Sequence, residues 1–310
     1  MSRAAPKHFL TLSDIPRSDW PQVLAKAQTY LATRGDHERP LAGKSVVLIF
    51  EKASTRTRLS FEIGVHELGG HPVVLGKNDT QLGRGEPIAD TARVISRYAH
   101  ACGIRTFGHE RIEEFARHST IPIINMLTDD HHPCQLAADL QTVLRVKGDL
   151  TAPKYAWLGD GNNMAHSWIE AAGLFGLHLV LACPEGYRPK PAILAAAQAA
   201  QAALGRGSIE LVASPKDAVA GADVISTDVW TSMGQEAETA ARAKAFAGYL
   251  LDEALLKTAA KDAMVLHCLP AHRGEEIAAE VIDGKQSHVW DQAEMRLHAQ
   301  KAILWYLMSS

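Results

Sequence analysis

Five consecutive residues, Ser54, Thr55, Arg56, Thr57 and Arg58, crowd three hydroxyls and two guanidiniums into one short stretch of chain. They follow SVVLIF (Ser45–Phe50), an apolar run that reads as a short buried strand. From Thr57 to Leu68 the apolar residues Leu59, Phe61, Ile63, Val65 and Leu68 give a weaker helical pattern. The cluster therefore sits where a strand turns into a helix. The first N–H groups of a helix have no partner inside it, and the helix dipole leaves partial positive charge there. Hydroxyl donors and guanidiniums added at that point make a site for a multiply charged oxyanion, with phosphate the best match. An ordinary N-cap followed by a solvated basic turn would need only one of these residues.

The elements that must position this turn follow from the apolar runs. Strands are predicted at Ser45–Phe50, Pro72–Leu75, Gly103–Phe107, Ile121–Ile124, Tyr155–Leu158, His178–Cys183, Ile209–Val212, Asp223–Thr227 and Met264–His267. Helical stretches such as Pro87–His100, Pro191–Leu204 and Gln235–Tyr249 lie between them. Alternation of this kind predicts an α/β fold of two doubly wound parallel-sheet domains. The Ala-rich helix Ala192–Gly205 reads as a surface helix. HPCQLAADLQTVLRVKGDL reads as one long helix ending near Gly148, and Val289–Met308 as another. The expected domains are 1–147, with the terminal helix 290–310 packing back on it, and 148–289, joined by two long helices.

Composition narrows the function classes. The 310 residues exceed what one hydrophobic core usually serves. A net charge of −3 and the lack of any long Lys/Arg run argue against nucleic-acid binding. No apolar stretch reaches a membrane span, and the first residues resemble neither a secretory signal nor a transit peptide, so a cytoplasmic protein is expected. Cys102, Cys134, Cys183 and Cys268 are far apart, as reduced thiols are.

Ligands of such sheets bind at the carboxyl ends of the strands. Polar residues crowd five of those ends: HE after Phe107 with Arg105 inside the strand, NMLTDDHHPCQ, GDGNN, DVWTSMGQE and CLPAHRGEE. His131, His132 and Cys134, or His267, Cys268 and His272, are conceivable metal ligands. Neither set brings four well-spaced donors, so His132 reads as a hydrogen-bonding group and Cys134 as a buried thiol. GDGNN resembles the start of a dinucleotide fingerprint, with Glu185 at a ribose-contacting distance, but Met164 stands where the third glycine belongs.

Taken together, STRTR (54–58), FGHE (107–110), HHPCQ (131–135), GDGNN (159–163), DVWTSMGQE (228–236), HCLPAHRGEE (267–276) and DQAEMRLHAQKA (291–302) resemble the ornithine carbamoyltransferases, in order from about residue 8 onward. STRTR with HPxQ marks the wider carbamoyltransferase family, and SMG with HCLP narrows the amine to ornithine. Ala53 departs from the usual Pro.

The resemblance implies transfer of a carbamoyl group from carbamoyl phosphate to the δ-amine of L-ornithine, giving L-citrulline and phosphate. No cofactor and no metal are expected. Ser54, Thr55, Arg56 and Thr57 would hold the phosphate. Arg105, His132, Gln135, Cys268, Leu269 and Arg296 would surround the carbamoyl end, and Gln81 would reach a neighbouring subunit of a homotrimer or multiple of trimers. Asn163, Asp228, Ser232 and Met233 would bind ornithine. Arg105, His132 and Cys268 would be catalytic, the last as a thiolate that accepts a proton or stabilises the reactive amine. Leu269–Pro270 is an expected cis peptide. Asp228, left unpaired by an amine lacking an α-ammonium, would lose about 3–5 kcal/mol. The alternatives are another amine (aspartate, putrescine or an acylated ornithine), a nicotinamide-dependent dehydrogenase using GDGNN, and a non-catalytic binding relative.

Overall fold

The computed structural model describes residues 6–82, 85–232 and 236–309. The chain divides into two compact units, Met1–Gln141 with Glu294–Ser310, and Thr142–Ala293. The amino-terminal unit holds four strands, β1 (Ser45–Phe50), β2 (His71–Gly76), β3 (Ala101–Arg105) and β4 (Ile123–Leu127), in the order β2-β1-β3-β4. The other unit holds five, β5 (Lys154–Leu158), β6 (His178–Ala182), β7 (Ser208–Val212), β8 (Val224–Thr227) and β9 (Met264–His267), in the order β7-β6-β5-β8-β9. All pairings within the two sheets are parallel. Parallel strands need crossovers, and helices supply them: α1 (Trp20–Ala32), α2 (Thr55–Glu67), α3 (Ile88–Tyr98), α4 (His109–Arg117) and α5 (Pro133–Lys147), then α6 (Asn163–Phe175), α7 (Pro191–Leu204), α8 (Pro215–Val219), α9 (Thr239–Ala245), α10 (Glu253–Leu256), α11 (Ala279–Ile282) and α12 (Val289–Met308). The chain passes between units within α5 and within α12.

Near-continuous apolar runs become strands buried on both faces. Val47, Ile49, Ile104, Ile112 and Phe115 pack into one core, and Ala156, Leu158, Ile225, Val265, Trp230 and Phe246 into that of the second unit. Two strands and one helix differ from expectation by more than a residue or so. β3 ends at Arg105 rather than Phe107, and β4 runs to Leu127, so Asn125 lies inside a strand. The predicted helix Gln235–Tyr249 is shortened to α9 after a single turn at Glu236–Glu238, and Gln235 lies outside the described residues. The Ala-rich α7 is mostly exposed, as predicted, but Ala197 comes so close to Gly173 of α6 that a Cβ on the glycine would meet its Cα at 2.8 Å.

The terminal helix packs on α2 within the amino-terminal unit. Arg296 donates to Thr57 Oγ1 at 2.6 Å, and Lys301 Nζ, fully buried, donates to Glu67 Oε2 at 2.6 Å. Between them, a Cβ on Gly64 would touch Lys301 Cγ at 3.3 Å and Leu297 Cδ1 at 3.4 Å, so a larger residue would wedge the helices apart. His298 is also fully buried. Burial, reinforced by Lys301 and Arg34, lowers its pKa to about 4. The unfolded chain binds a proton near pH 6.5 that the folded chain refuses, so this group makes stability fall as pH drops from about 6.5 towards 4. His298→Leu is expected to lower the slope of unfolding free energy against pH, between pH 5 and 6, by about 1 kcal/mol per unit. Urea titrations at the two pH values measure it, and an unchanged slope contradicts the assignment.

Candidate active site

The hydroxyl-rich turn opens α2 where β1 ends. Ser54 is the N-cap, its side chain accepting from Thr57 N at 3.3 Å, so the cap falls in the turn expected to hold the anion. A cavity of about 610 Å³ opens beside it, with Ser54, Thr55, Arg58 and Lys77 in its walls. Arg105 terminates β3, His132 precedes α5, Gln135 sits in the first turn of α5, and Arg296 comes from α12. All four are buried. Burial first, then Arg296, Arg105 and Arg56, hold His132 well below the usual histidine range. It is therefore a neutral imidazole among three guanidiniums.

Two neighbours fix the polarity of two further groups. Gln135 Nε2 donates to Asp139 Oδ1 at 2.8 Å, and a carboxylate can only accept, so the amide cannot be flipped. Gln135 Oε1 is buried with no hydrogen-bond partner among the described residues, an acceptor waiting for an N–H. Thr57 Oγ1 already accepts from Arg296, which leaves its own hydroxyl proton to donate elsewhere. These residues thus present cations and hydroxyl donors together with an oriented acceptor, Gln135 Oε1. Gln81 is exposed, in the loop between β2 and α3.

The second unit carries the remaining expected residues. Asn163 is the first residue of α6, Asp228 follows β8, and Cys268 and Leu269 follow β9. Asp228 Oδ1 accepts from Val229 N at 2.8 Å and from Cys268 Sγ at 3.1 Å, and Oδ2 accepts from Asn162 Nδ2 at 2.9 Å. Cys268 thus donates as a thiol, where a thiolate was expected. Ser232 is half-buried four residues past Asp228, and Met233 lies outside the described residues. Leu269–Pro270 is cis, as expected, and Leu269 itself has φ 59°. His267 supports that turn: Leu269 N donates to Nδ1, and Nε2 pairs with buried Glu276, both at 2.9 Å. With both ring nitrogens engaged, His267 has no lone pair left for a metal. Cys134 donates to Asn125 O, and burial pushes its thiol up to about 12, so it is the inert core thiol that was expected.

Several site residues escaped the sequence reading. Asn162 caps α6, accepting from Met164 N and Ala165 N, and also orients Asp228; an Asn just before an apolar helix was the available signal. Arg242, buried on α9, donates to Asp160 Oδ2 (2.6 Å), Trp230 O (2.9 Å) and Glu238 Oε2 (2.9 Å) and covers the Tyr187 ring. Nothing in its sequence surroundings announces that role.

The glycines of GDGNN serve packing. Gly159 has φ 122°, and a Cβ on Gly161 would lie 2.2 Å from Pro189 N. The space a pyrophosphate would need beside Gly161 is filled by the chain's own backbone, which removes the reason for a dinucleotide.

Residues 7–145 match the family model described as the aspartate/ornithine carbamoyltransferase carbamoyl-P binding domain, and 152–307 the Asp/Orn binding domain of the same family. The chain belongs to the aspartate/ornithine carbamoyltransferase family. Among this carbamoyltransferase's relatives, the ornithine carbamoyltransferase of Pelobacter propionicus is 53% identical over 97% of this chain and 98% of its own. That of Symbiobacterium thermophilum is 51% identical over the full length of both. The solved ornithine carbamoyltransferase from Pyrococcus furiosus superposes with a TM-score of 0.95 at 46% identity, covering 100% of this chain and 99% of that one.

Asn162→Ala is expected to lower stability by about 1 kcal/mol through loss of the α6 cap, while Asn162→Ser, which keeps a cap, stays near the parent. Denaturation midpoints of the two variants decide it; equal losses would show that capping is not the role.

Proposed function

We propose that this protein transfers the carbamoyl group of carbamoyl phosphate to the δ-amine of L-ornithine, releasing L-citrulline and phosphate. The observation that carries this reading is the pairing of a cationic, hydroxyl-rich helix N-terminus with the oriented acceptor Gln135 Oε1. A simple acyl phosphate such as acetyl phosphate offers only oxygen acceptors; carbamoyl phosphate also offers an NH₂ that can fill that acceptor. The names of relatives about half identical over nearly their whole length support ornithine as the amine.

In this reading residues 1–147, with 290–310, form the carbamoyl-phosphate domain, and 148–289 the ornithine domain. Ser54, Thr55, Arg56 and Thr57 hold the phosphate. As the amine attacks, negative charge grows on the carbonyl oxygen. Arg105, neutral His132 and the Thr57 hydroxyl donate to it, and preorganised donors of this kind are commonly the largest catalytic term. Arg56 offsets the charge on the departing phosphate. The attacking amine must lose a proton, since its free pKa lies near that of lysine, about 10.4. The Cys268 thiol and Asp228, already hydrogen-bonded, form a short path for that proton. Asn163 and Asp228 receive the α-carboxylate and α-ammonium of ornithine, beside Ser232 and Met233. Gln81 completes a neighbour's site in a homotrimer or a multiple of trimers. The four cysteines, none in a disulfide among the described residues, suit a reducing compartment, taken as the cytoplasm, which fractionation of cells would check. No helix among the described residues is long and apolar enough to cross a membrane.

Arg56→Ala should fold normally and lose about 3 kcal/mol of transition-state stabilisation, over a hundredfold in rate. Gln81→Ala should also be weak, and mixed oligomers of the two should recover part of the activity through hybrid sites. Citrulline production measures both, and near-normal turnover by Arg56→Ala would sink the phosphate assignment.

Asp228 keeps three donors in the free protein, so an amine lacking the α-ammonium does not leave it unpaired, and the penalty expected above is too large. A lost charge-assisted hydrogen bond is worth about 1.5–3 kcal/mol, roughly tenfold to over a hundredfold. Asp228→Asn should therefore raise the KM for ornithine by such a factor and leave carbamoyl phosphate binding nearly unchanged. Putrescine, without an α-carboxylate, should be a poor substrate of the parent enzyme. Steady-state kinetics with both amines decide it: a preference for putrescine overturns the assignment of ornithine.

A further inference from the structure

Arg105 stands at an irregular point of its sheet. Ile104 pairs with Asn125 but Arg105 pairs with Leu127, so Met126 is an extra residue on β4. A bulge re-aims the neighbouring side chains and interrupts the ladder that would hold them. On the β4 side Thr106 N donates to Leu127 O (3.0 Å); on the β1 side Phe50 stays in register with Arg105, and Glu51 N donates to Arg105 O (2.9 Å). Around them lies a side-chain cluster that neither substrate assignment uses. Glu51, the first residue after β1, accepts from Thr106 Oγ1 with one oxygen and from Arg111 with the other, the second at 2.9 Å. Arg111, on α4, also donates through Nε to Thr106 Oγ1 at 3.2 Å. Glu51 is 11% exposed and Arg111 34%.

The position of Glu51 needs a reason. Glu51 lines the same cavity as Ser54 and Thr55, and a carboxylate so near that turn opposes an incoming anion. In a partly buried ion pair desolvation offsets much of the attraction, so net stability alone does not explain a carboxylate there. A geometric reason does. Glu51 joins the end of β1 to the end of β3, and Arg111 closes the triangle from the helix that follows β3. Thr106, the residue next to Arg105, is thereby held from two sides.

We propose that Glu51, Thr106 and Arg111 are positioning residues that fix Arg105 for the carbamoyl end of the substrate, independently of the phosphate turn. They act through Arg105 and touch no substrate. The inference rests on Arg105 serving the carbamoyl end, and the test separates failure of the two.

The readout is the binding of carbamoyl phosphate, by calorimetry, set against inhibition by inorganic phosphate, which uses the phosphate turn alone. Arg105→Ala should weaken carbamoyl phosphate much more than phosphate; equal weakening overturns the role of Arg105 itself. Given that result, Glu51→Gln should weaken carbamoyl phosphate about tenfold, with phosphate unchanged or tighter and the KM for ornithine within about twofold. The direction is informative, because loss of a negative charge beside an anion site would by charge alone tighten both. Arg111→Lys, at a third-exposed position, gives the same comparison with little risk to folding and should fall between the parent and Glu51→Gln. Glu51→Gln/Arg111→Gln should be no weaker than the worse single variant. Tighter or unchanged binding of both anions in Glu51→Gln and Arg111→Lys overturns the proposal, as does equal weakening of both.

Discussion

Holding three guanidiniums around one buried imidazole is the constraint on which the amino-terminal unit depends. Arg56, Arg105 and Arg296 all act on His132 strongly enough, with burial, to keep it uncharged. Two like charges about 6 Å apart repel by roughly 3 kcal/mol at an effective dielectric of about 20. A flexible site would relieve this by letting the arginines swing into water. Here each comes from a different rigid source: a helix N-terminus, a strand end and the terminal helix. An arriving dianion turns the repulsion into attraction, which ties binding to the firmness of those three elements.

That firmness explains the chemistry of the α2–α12 contact. Arg296 could not be aimed at Thr57 unless the helices lay close, and Gly64 allows the approach. Lys301 locks the far end by burying an ammonium against Glu67, with Tyr30 and His37 beside it. A buried pair of this kind adds little net stability but resists sliding, because any shift strands a charge. Register, more than affinity between helices, is what the site needs. The second unit solves the opposite problem. Its central charge is the negative Asp228, surrounded by donors, and a buried guanidinium, Arg242, ties the chain on either side of Ser232 to the end of β5.

Local pattern made the sheets and the phosphate turn readable. Buried parallel strands write continuous apolar runs, and a hydroxyl–arginine cluster after one of them has few other uses. The strand ends were less readable. Arg105 and Asn125 are polar residues on either side of a bulge, and alternation has no symbol for an extra residue. Least readable were groups whose partners lie far along the chain. Glu51 was in plain view beside the anion turn, yet its meaning depends on Arg111, 60 positions away. Arg242 and Asp160 are 82 positions apart, and GDGNN suggested a nucleotide until Pro189 was seen to fill the gap beside Gly161.

Under the proposed mechanism, the neutral state of His132 decides how the proton inventory of the reaction is divided. A histidinium would bring a fourth positive charge and would titrate near the working pH, so that oxyanion stabilisation would rise and fall with the buffer. Burial and the three guanidiniums remove that variable: positive charge is carried by groups that never lose it, and the histidine contributes only a hydrogen bond. The amino-terminal unit therefore handles charge without moving protons. In the proposed mechanism the proton that leaves the attacking ammonium passes instead to the Cys268 thiol, already hydrogen-bonded to Asp228.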